Sequence, residues 1–286
     1  VLVSPKGSLR GIVESDFVWN GGNIYPIEVD GTIEDCRNLV RKIFSNRELV
    51  EKFHLTVANT ANIGRLLPQA FFYTYAFSRL KKKVNGDIYY AFSAGNYGNL
   101  ISGLYGWRFA LPVNGFIVPS TPMLTQDASG NCMVTDSIVP LKERIAADPA
   151  SPSNIERLEQ VFNANSLMIR SFVFPATVSE QDMDEACKEL FIKYKVYADR
   201  ETSAAYAAAK KRADVIEDGD GAVVLVARQD PSIDEKFIMH NLGECPNKNV
   251  LVAQAFNPVN VGKSCLVPGD VESLVSILDS LNLTKK

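Results

Sequence analysis

Seven residues, Ser93-Ala94-Gly95-Asn96-Tyr97-Gly98-Asn99, hold two glycines and two asparagines. They lie between a β-branched and aromatic run ending at Phe92 and a helically periodic segment starting near Leu100. A strand that passes through a glycine turn into a helix makes an anion site. The first helical N–H groups have no intrahelical partner, and the helix dipole adds positive potential there. Glycine lets the backbone approach a phosphate and take positive φ. The asparagines add side-chain donors. The same pattern also fits a tight strand-to-helix turn with no ligand. It is not a dinucleotide fingerprint, because GxGxxG is absent. Gly262-Lys263-Ser264 resembles the end of a P-loop, but Asn257 stands where that loop needs its first glycine, so an ordinary loop is expected.

A second polar cluster, Asn59-Thr60-Ala61-Asn62-Ile63-Gly64-Arg65, directly precedes a long apolar segment. Arginine matches phosphate and carboxylate with two parallel hydrogen bonds. An anion site and a capped helix start with a surface arginine both fit this stretch. The two histidines, His54 and His240, make a histidine-rich metal site or a Ser-His-Asp triad unexpected. The five cysteines form no CxxC pair, and reduced thiols in a cytoplasmic protein are the simplest account.

Alternating strands and helices must position these clusters. Val1–Val3 is a short apolar run and Gly21-Gly22-Asn23 a turn. Residues 24–29 read as a strand. Thr32 stands at an N-cap with Asp35 three residues on, and Ile33, Cys36, Leu39, Val40, Ile43 and Phe44 follow at helical spacing. Residues 66–80 predict a buried helix rich in aromatics. Residues 88–92 predict a central strand, 100–109 a helix and 113–118 a strand. Residues 148–154 read as a loop ahead of a helix starting near Ile155. Ser179 with Asp182 caps a helix to about Lys193. A helix over 202–212 and a wholly apolar strand over 222–227 follow, the latter in a sheet covered on both faces. Residues 270–281 close with an amphipathic helix, while 231–249 give no clear period. Such alternation favours an α/β protein with parallel sheets. Two domains are expected, residues 1–57 as the remainder of a small α/β domain and 58–286 as a large one.

Of the 286 residues 46% are hydrophobic and 22% charged, ordinary for a globular protein, and the net charge is −3. No basic patch points to nucleic acid or a membrane surface. Lys81-Lys82-Lys83 closes an apolar helical stretch, where cations complement the helix dipole. No apolar run reaches the ~18 residues of a membrane span. The chain opens on Val1-Leu2-Val3 as if in mid-fold, which reads as an N-terminally truncated piece.

The Ser93–Asn99 turn resembles the Ser-Gly-Asn-Phe-Gly-Asp/Asn turn of threonine synthases, which holds the phosphate of pyridoxal phosphate (PLP). Asn59–Gln69 is similar to the family's NSINxxRxLxQ stretch. Gly21-Gly22-Asn23-Ile24, Asp30-Gly31 and Ser151–Leu158 agree as well. The resemblance covers residues 1 to about 165. It implies a fold-type-II PLP-enzyme-like architecture, mostly parallel sheets flanked by helices. It implies a lyase that converts O-phosphohomoserine and water to threonine and phosphate. Gly95, Asn96, Tyr97, Gly98 and Asn99 would surround the cofactor phosphate. Asn59, Thr60 and Arg65 would face the phosphate of a small phosphorylated amino-acid substrate.

The resemblance also shows departures. The family's Schiff-base lysine and its Ser-Gly-Asp-Thr-Gly loop lie N-terminal to anything present here, so no catalytic residue is assigned and no turnover is expected from this chain alone. A separate N-terminal segment is a conceivable partner, and a non-catalytic paralogue acting as a binding or regulatory module is the alternative. The family's Ser-Thr-Ala-His-Pro segment, whose hydroxyl meets the pyridine nitrogen, aligns with Ala227-Arg228-Gln229-Asp230-Pro231. The family's Pro-His-Thr/Ala stretch aligns with Arg200-Glu201-Thr202.

Overall fold

A computed structural model describes residues 1–7, 25–135, 140–143, 147–163, 165–216, 220–247 and 266–281. The expected turn at Gly21–Asn23 and the Gly262-Lys263-Ser264 loop lie outside these residues. In chain order the elements begin with β1 (Leu2–Pro5), β2 (Pro26–Val29), α1 (Ile33–Ser45) and α2 (Arg47–Phe53). Next come α3 (Ile63–Leu66), α4 (Ala70–Leu80), β3 (Ile88–Ala91), α5 (Gly98–Arg108) and β4 (Gly115–Pro119). A hairpin of β5 (Leu124–Gln126) and β6 (Cys132–Val134) precedes α6 (Ile155–Val161), α7 (Ser166–Phe172) and β7 (Val173–Ala176). The chain continues through α8 (Glu180–Tyr194), α9 (Arg200–Lys211), β8 (Ala222–Leu225), α10 (Glu235–Leu242), β9 (Leu266–Val267) and α11 (Val271–Ser280).

The chain divides into two units. The first holds residues 1–59, 148–152 and 248–286. Its parallel sheet has the order β1-β2-β9. Thr32 and Asp35 form a reciprocal capping box at the start of α1. Cys36, Leu39 and Ile43, one helical stripe, pack with Ile27, Val29, Phe53, Val267, Leu274 and Leu278. β9 and α11 therefore complete this core, and the expected assignment of all residues from 58 to 286 to one domain does not hold. The reason is a long-range pairing: Val29 aligns with Val267 across 238 residues of chain that local periodicity does not report.

The second unit, residues 60–147 and 153–247, carries a four-stranded parallel sheet of order β7-β4-β3-β8. β3 is central and wholly buried, as its sequence predicts. Alternation sorts its side chains. Tyr90 and Phe92 join Phe116, Leu100, Ile101 and Leu104 on one face. Tyr89 and Ala91 join Ile117, Ala176 and Ala208 on the other.

Two expectations differ. In α4 only Ala70 and Tyr73 are buried, while Phe71, Phe72 and Tyr75 are 73%, 72% and 65% exposed. An aromatic-rich helix has no period that reveals which of its faces is covered. β8 reads as a strand of a sheet covered on both faces, yet among the described residues it stands at the sheet edge and its residues are half-buried. Among the described residues no helix is long and apolar enough to cross a membrane, and Cys36, Cys132 and Cys187 are free thiols.

Candidate anion site at the β3–α5 turn

β3 delivers the chain to its C-terminal edge, where open α/β sheets usually bind ligands. The Phe92 amide continues the ladder by donating to the Ile117 carbonyl (3.2 Å), and Ser93 is buried. The chain then turns through two left-handed residues, Gly95 (φ +49°) and Tyr97 (φ +60°), on either side of Asn96. Left-handed geometry is costly for a residue with a Cβ. At Tyr97 the neighbourhood holds it: its amide donates to the Ala94 carbonyl (2.8 Å) and its hydroxyl meets the Thr121 hydroxyl.

Tyr97 is the N-cap of α5 and supplies no side-chain acceptor. The first helical bond runs from the Ile101 amide to the Tyr97 carbonyl (2.9 Å), and the Gly98 amide donates to Asn96 Oδ1 (3.3 Å). Among the described residues the amides of Asn99 and Leu100 are left without a helical or capping acceptor. The first turn is held from outside by the Tyr73 hydroxyl, which donates to the Asn99 carbonyl (2.8 Å). Burial pushes the Tyr73 phenol well above its ordinary value and keeps it a neutral donor.

The second polar cluster meets this turn through Thr60. Its Oγ1 accepts from Asn96 Nδ2 (2.8 Å) and from Asn154 Nδ2 (2.9 Å), and Asn154 Nδ2 also donates to the Asn96 carbonyl (3.1 Å). With both lone pairs engaged, the Thr60 hydroxyl has only its proton to offer. Thr60, Asn96 and α5 thus converge as donors, the chemistry an anion requires. Asn154, itself left-handed and 6% exposed, holds a buried Oδ1 with no partner among the described residues. A ligand that brings an ammonium or hydroxyl proton beside the anion would satisfy it. Arg157 donates to the Ala61 carbonyl and fixes the adjoining backbone.

The remaining sequence-predicted residues are placed differently. Arg65 is exposed, and among the described residues its guanidinium makes no hydrogen bond, while its carbonyl accepts from Gln69 (2.6 Å). Asn59 belongs to the first unit, where its amide donates to the Pro149 carbonyl (2.7 Å). Asn154, Arg157 and Arg228 take part without having been singled out as site residues. For Asn154 and Arg157 the available signal was their place in the Ser151–Leu158 stretch.

Arg228 follows β8, next to β3. Its amide donates to Thr202 Oγ1 (3.1 Å), and that hydroxyl donates to the buried Asp199 carboxylate (2.8 Å). Its guanidinium donates to Ser93 Oγ (3.2 Å) and lies against Gly95. A Cβ at Gly95 would come 2.6 Å from Arg228 Nη1. The two stretches that depart from the threonine synthase pattern, around Thr202 and around Arg228, therefore touch each other. They bring a permanent cation to the turn.

No protein-family model matches the chain. It is 31% identical over 196 residues to threonine synthase of Buchnera aphidicola subsp. Acyrthosiphon pisum, a match covering 67% of this chain and 44% of the relative. It is 28% identical over 195 residues to threonine synthase of Escherichia coli, covering 66% and 44%. The crystal structure of the E. coli enzyme superposes with TM-score 0.66 at 22% identity, over 98% of this chain and 64% of that one. The PLP-bound threonine synthase of Brucella melitensis gives 0.65 at 15% identity, over 92% and 60%. The matched segment spans less than half the length of these curated relatives. Sequence likeness over two thirds of the chain and a shared fold over nearly all of it place this chain in the threonine synthase family, with the fold-type-II architecture of PLP enzymes.

Proposed function

We propose that this chain is the phosphate-holding part of a threonine synthase-like lyase that uses PLP and acts on O-phosphohomoserine. The observation that carries this reading is the uncapped start of α5 at a turn matching the family's PLP-phosphate motif, with Thr60 as a further donor. The residues fit the phosphate end of the cofactor. Gly95, Asn96, Tyr97, Gly98 and Asn99 supply the turn, and the free amides of Asn99 and Leu100 supply donors. When bound, PLP serves as the electron sink for charge developing on the substrate carbon. The protein's part is to anchor the cofactor phosphate, orient the substrate and hold water away from the reacting atoms. Thr60, with Arg65, is assigned to the substrate phosphate, and Asn154 Oδ1 to a proton-bearing group beside it. The lysine that would hold the cofactor is expected in the part of the threonine synthases that this chain does not span, so no turnover is expected from this chain alone. Free thiols accord with a cytoplasmic setting.

Arg228 supports a second reading, a non-catalytic paralogue serving as a binding or regulatory module. The resemblance aligns residues 227–231 with the segment whose hydroxyl meets the pyridine nitrogen, but the always-charged guanidinium of Arg228 lies on Ser93 and Gly95 at the turn and supplies no such hydroxyl. Titration with PLP and with inorganic phosphate, followed by intrinsic fluorescence, tests the anion site. Both ligands should bind, and Gly95→Val should abolish binding by displacing Arg228 and straining the left-handed turn. Equal affinity in the variant would remove the turn from the site. Phosphate binding without PLP binding would favour the paralogue.

A further inference from the structure

Two side chains lie against the Ser93–Asn99 turn where its glycines admit them. A Cβ at Gly98 would come 3.3 Å from Thr60 Cγ2, and one at Gly95 would come 2.6 Å from Arg228 Nη1. Of the two, Arg228 carries charge, and its backbone is held in place. The Val226 amide donates to the Ala91 carbonyl (2.9 Å) in the ladder between β8 and β3. Two residues on, the Arg228 amide donates to Thr202 Oγ1 (3.1 Å) at the start of α9. The buried Asp199 carboxylate fixes Thr202 in turn, accepting from its hydroxyl (2.8 Å) and its amide (2.9 Å). The Arg228 guanidinium engages Ser93 Oγ through Nη1 (3.2 Å). Among the described residues its other N–H groups make no hydrogen bond and no carboxylate pairs with it. Asp230, two residues away, accepts instead from the Ser232 amide (2.9 Å) and hydroxyl (2.6 Å).

Such a cation is out of place beside a helix start. The N-terminus of α5 is the positive end of the helix dipole, so it repels a guanidinium that no acid neutralises. An anion at the turn reverses this, because it draws on the dipole and the guanidinium together. Arginine's planar fork presents parallel N–H groups, the geometry that a phosphoryl group takes. The buried Ser93 hydroxyl accepts from Arg228 and so has its proton to offer the same anion. Asn154, whose buried Oδ1 has no partner among the described residues, borders the turn as well, its Nδ2 donating to the Asn96 carbonyl (3.1 Å). We propose that Arg228, with Ser93, is a ligand of the phosphoryl group bound at this turn and supplies positive charge to it. The inference rests on the reading of the turn as a phosphate site.

Inorganic phosphate, followed by calorimetry, and PLP, followed by absorbance, are titrated into the full chain and into Arg228→Met and Arg228→Lys. Methionine keeps an aliphatic stem and removes the charge, and phosphate should bind about tenfold or more weaker. Lysine keeps the charge without the fork and should recover part of the loss. Added salt should weaken phosphate less in Arg228→Met than in the unaltered chain, since the lost contact is ionic. Without any anion, Arg228→Met should melt at the same or a higher temperature than the unaltered chain, because the helix start no longer faces a cation. A lower melting temperature with no recovery by lysine would make the arginine structural and overturn the proposal. Loss for phosphate and PLP together assigns Arg228 to the cofactor's phosphoryl group, and loss for phosphate alone assigns it to the phosphoryl group of another ligand. Either result bears the proposal out. Unchanged phosphate affinity in Arg228→Met, or a loss confined to PLP, which would put Arg228 on the ring, would overturn it and leave the phosphate site standing. If the unaltered chain bound neither ligand, the phosphate site itself would fall, and the role of Arg228 with it.

Discussion

Thr60 shows how a single side chain acquires its role from its neighbours. Alone it can donate or accept. Between the Asn96 and Asn154 amides it can only donate. Thr60→Val keeps the shape and removes the hydroxyl. It should weaken inorganic phosphate by about tenfold or more, the worth of one hydrogen bond to a charged group. Arg65→Ala should weaken phosphorylated ligands more than unphosphorylated ones, and calorimetric titration of a matched pair measures the difference. Equal loss for both would remove Arg65 from the phosphate role. The turn itself was legible, because strand, glycine and helix are contiguous in sequence. The convergence on Thr60 was not, since Asn154 lies 94 residues away and only the folded chain brings it there. Arg228 is further still, 135 residues from Ser93.

At the scale of elements, α5 can bring its N-terminus to the end of β3 only by lying close to the sheet. Gly103 permits that approach. A Cβ there would stand 2.5 Å from Phe116 Cε1, and Phe116 is fully buried against Tyr90 and Phe92. Gly103→Ala should therefore destabilise the second unit by about 1–3 kcal/mol through overpacking, despite alanine's better helix propensity. Urea unfolding followed by circular dichroism measures it. An unchanged or higher midpoint would show that Phe116 can yield. Helix α1 was legible to its cap, because the Thr32–Asp35 box is a local contact. The surroundings of α4 and β8 were not. A hydrophobic pattern records which side chains prefer to be covered, and it does not record whether a neighbour is present to cover them.

For the whole molecule, acid stability follows from how α8 is tied to α9. Lys211 and the Ser179 cap hold the Asp182 carboxyl down at about 2. Lys193 and Lys210 hold Glu189 at about 2 as well. Both values lie below those of unfolded carboxylates, roughly 4. Their contribution is thus complete above pH ~4 and is lost as the pH falls from there toward 2. Urea midpoints should stay level from neutral pH to about 5 and fall below that. Asp182→Asn should flatten part of the fall, and salt should reduce it because the pairs are partly exposed. A fall of the same size in the variant would refute the assignment. What the sequence determined by itself was everything carried by neighbouring residues: the alternation of strand and helix, the caps, the glycine turn, and the family motifs. Tertiary structure alone decided that β9 and α11 complete the first core, that Thr60, Asn96 and Asn154 share protons, that Arg228 lies on Gly95, and that β8 is the last strand of its sheet among the described residues. Each of these depends on which distant segments occupy the same space, and periodicity along the chain holds no record of that.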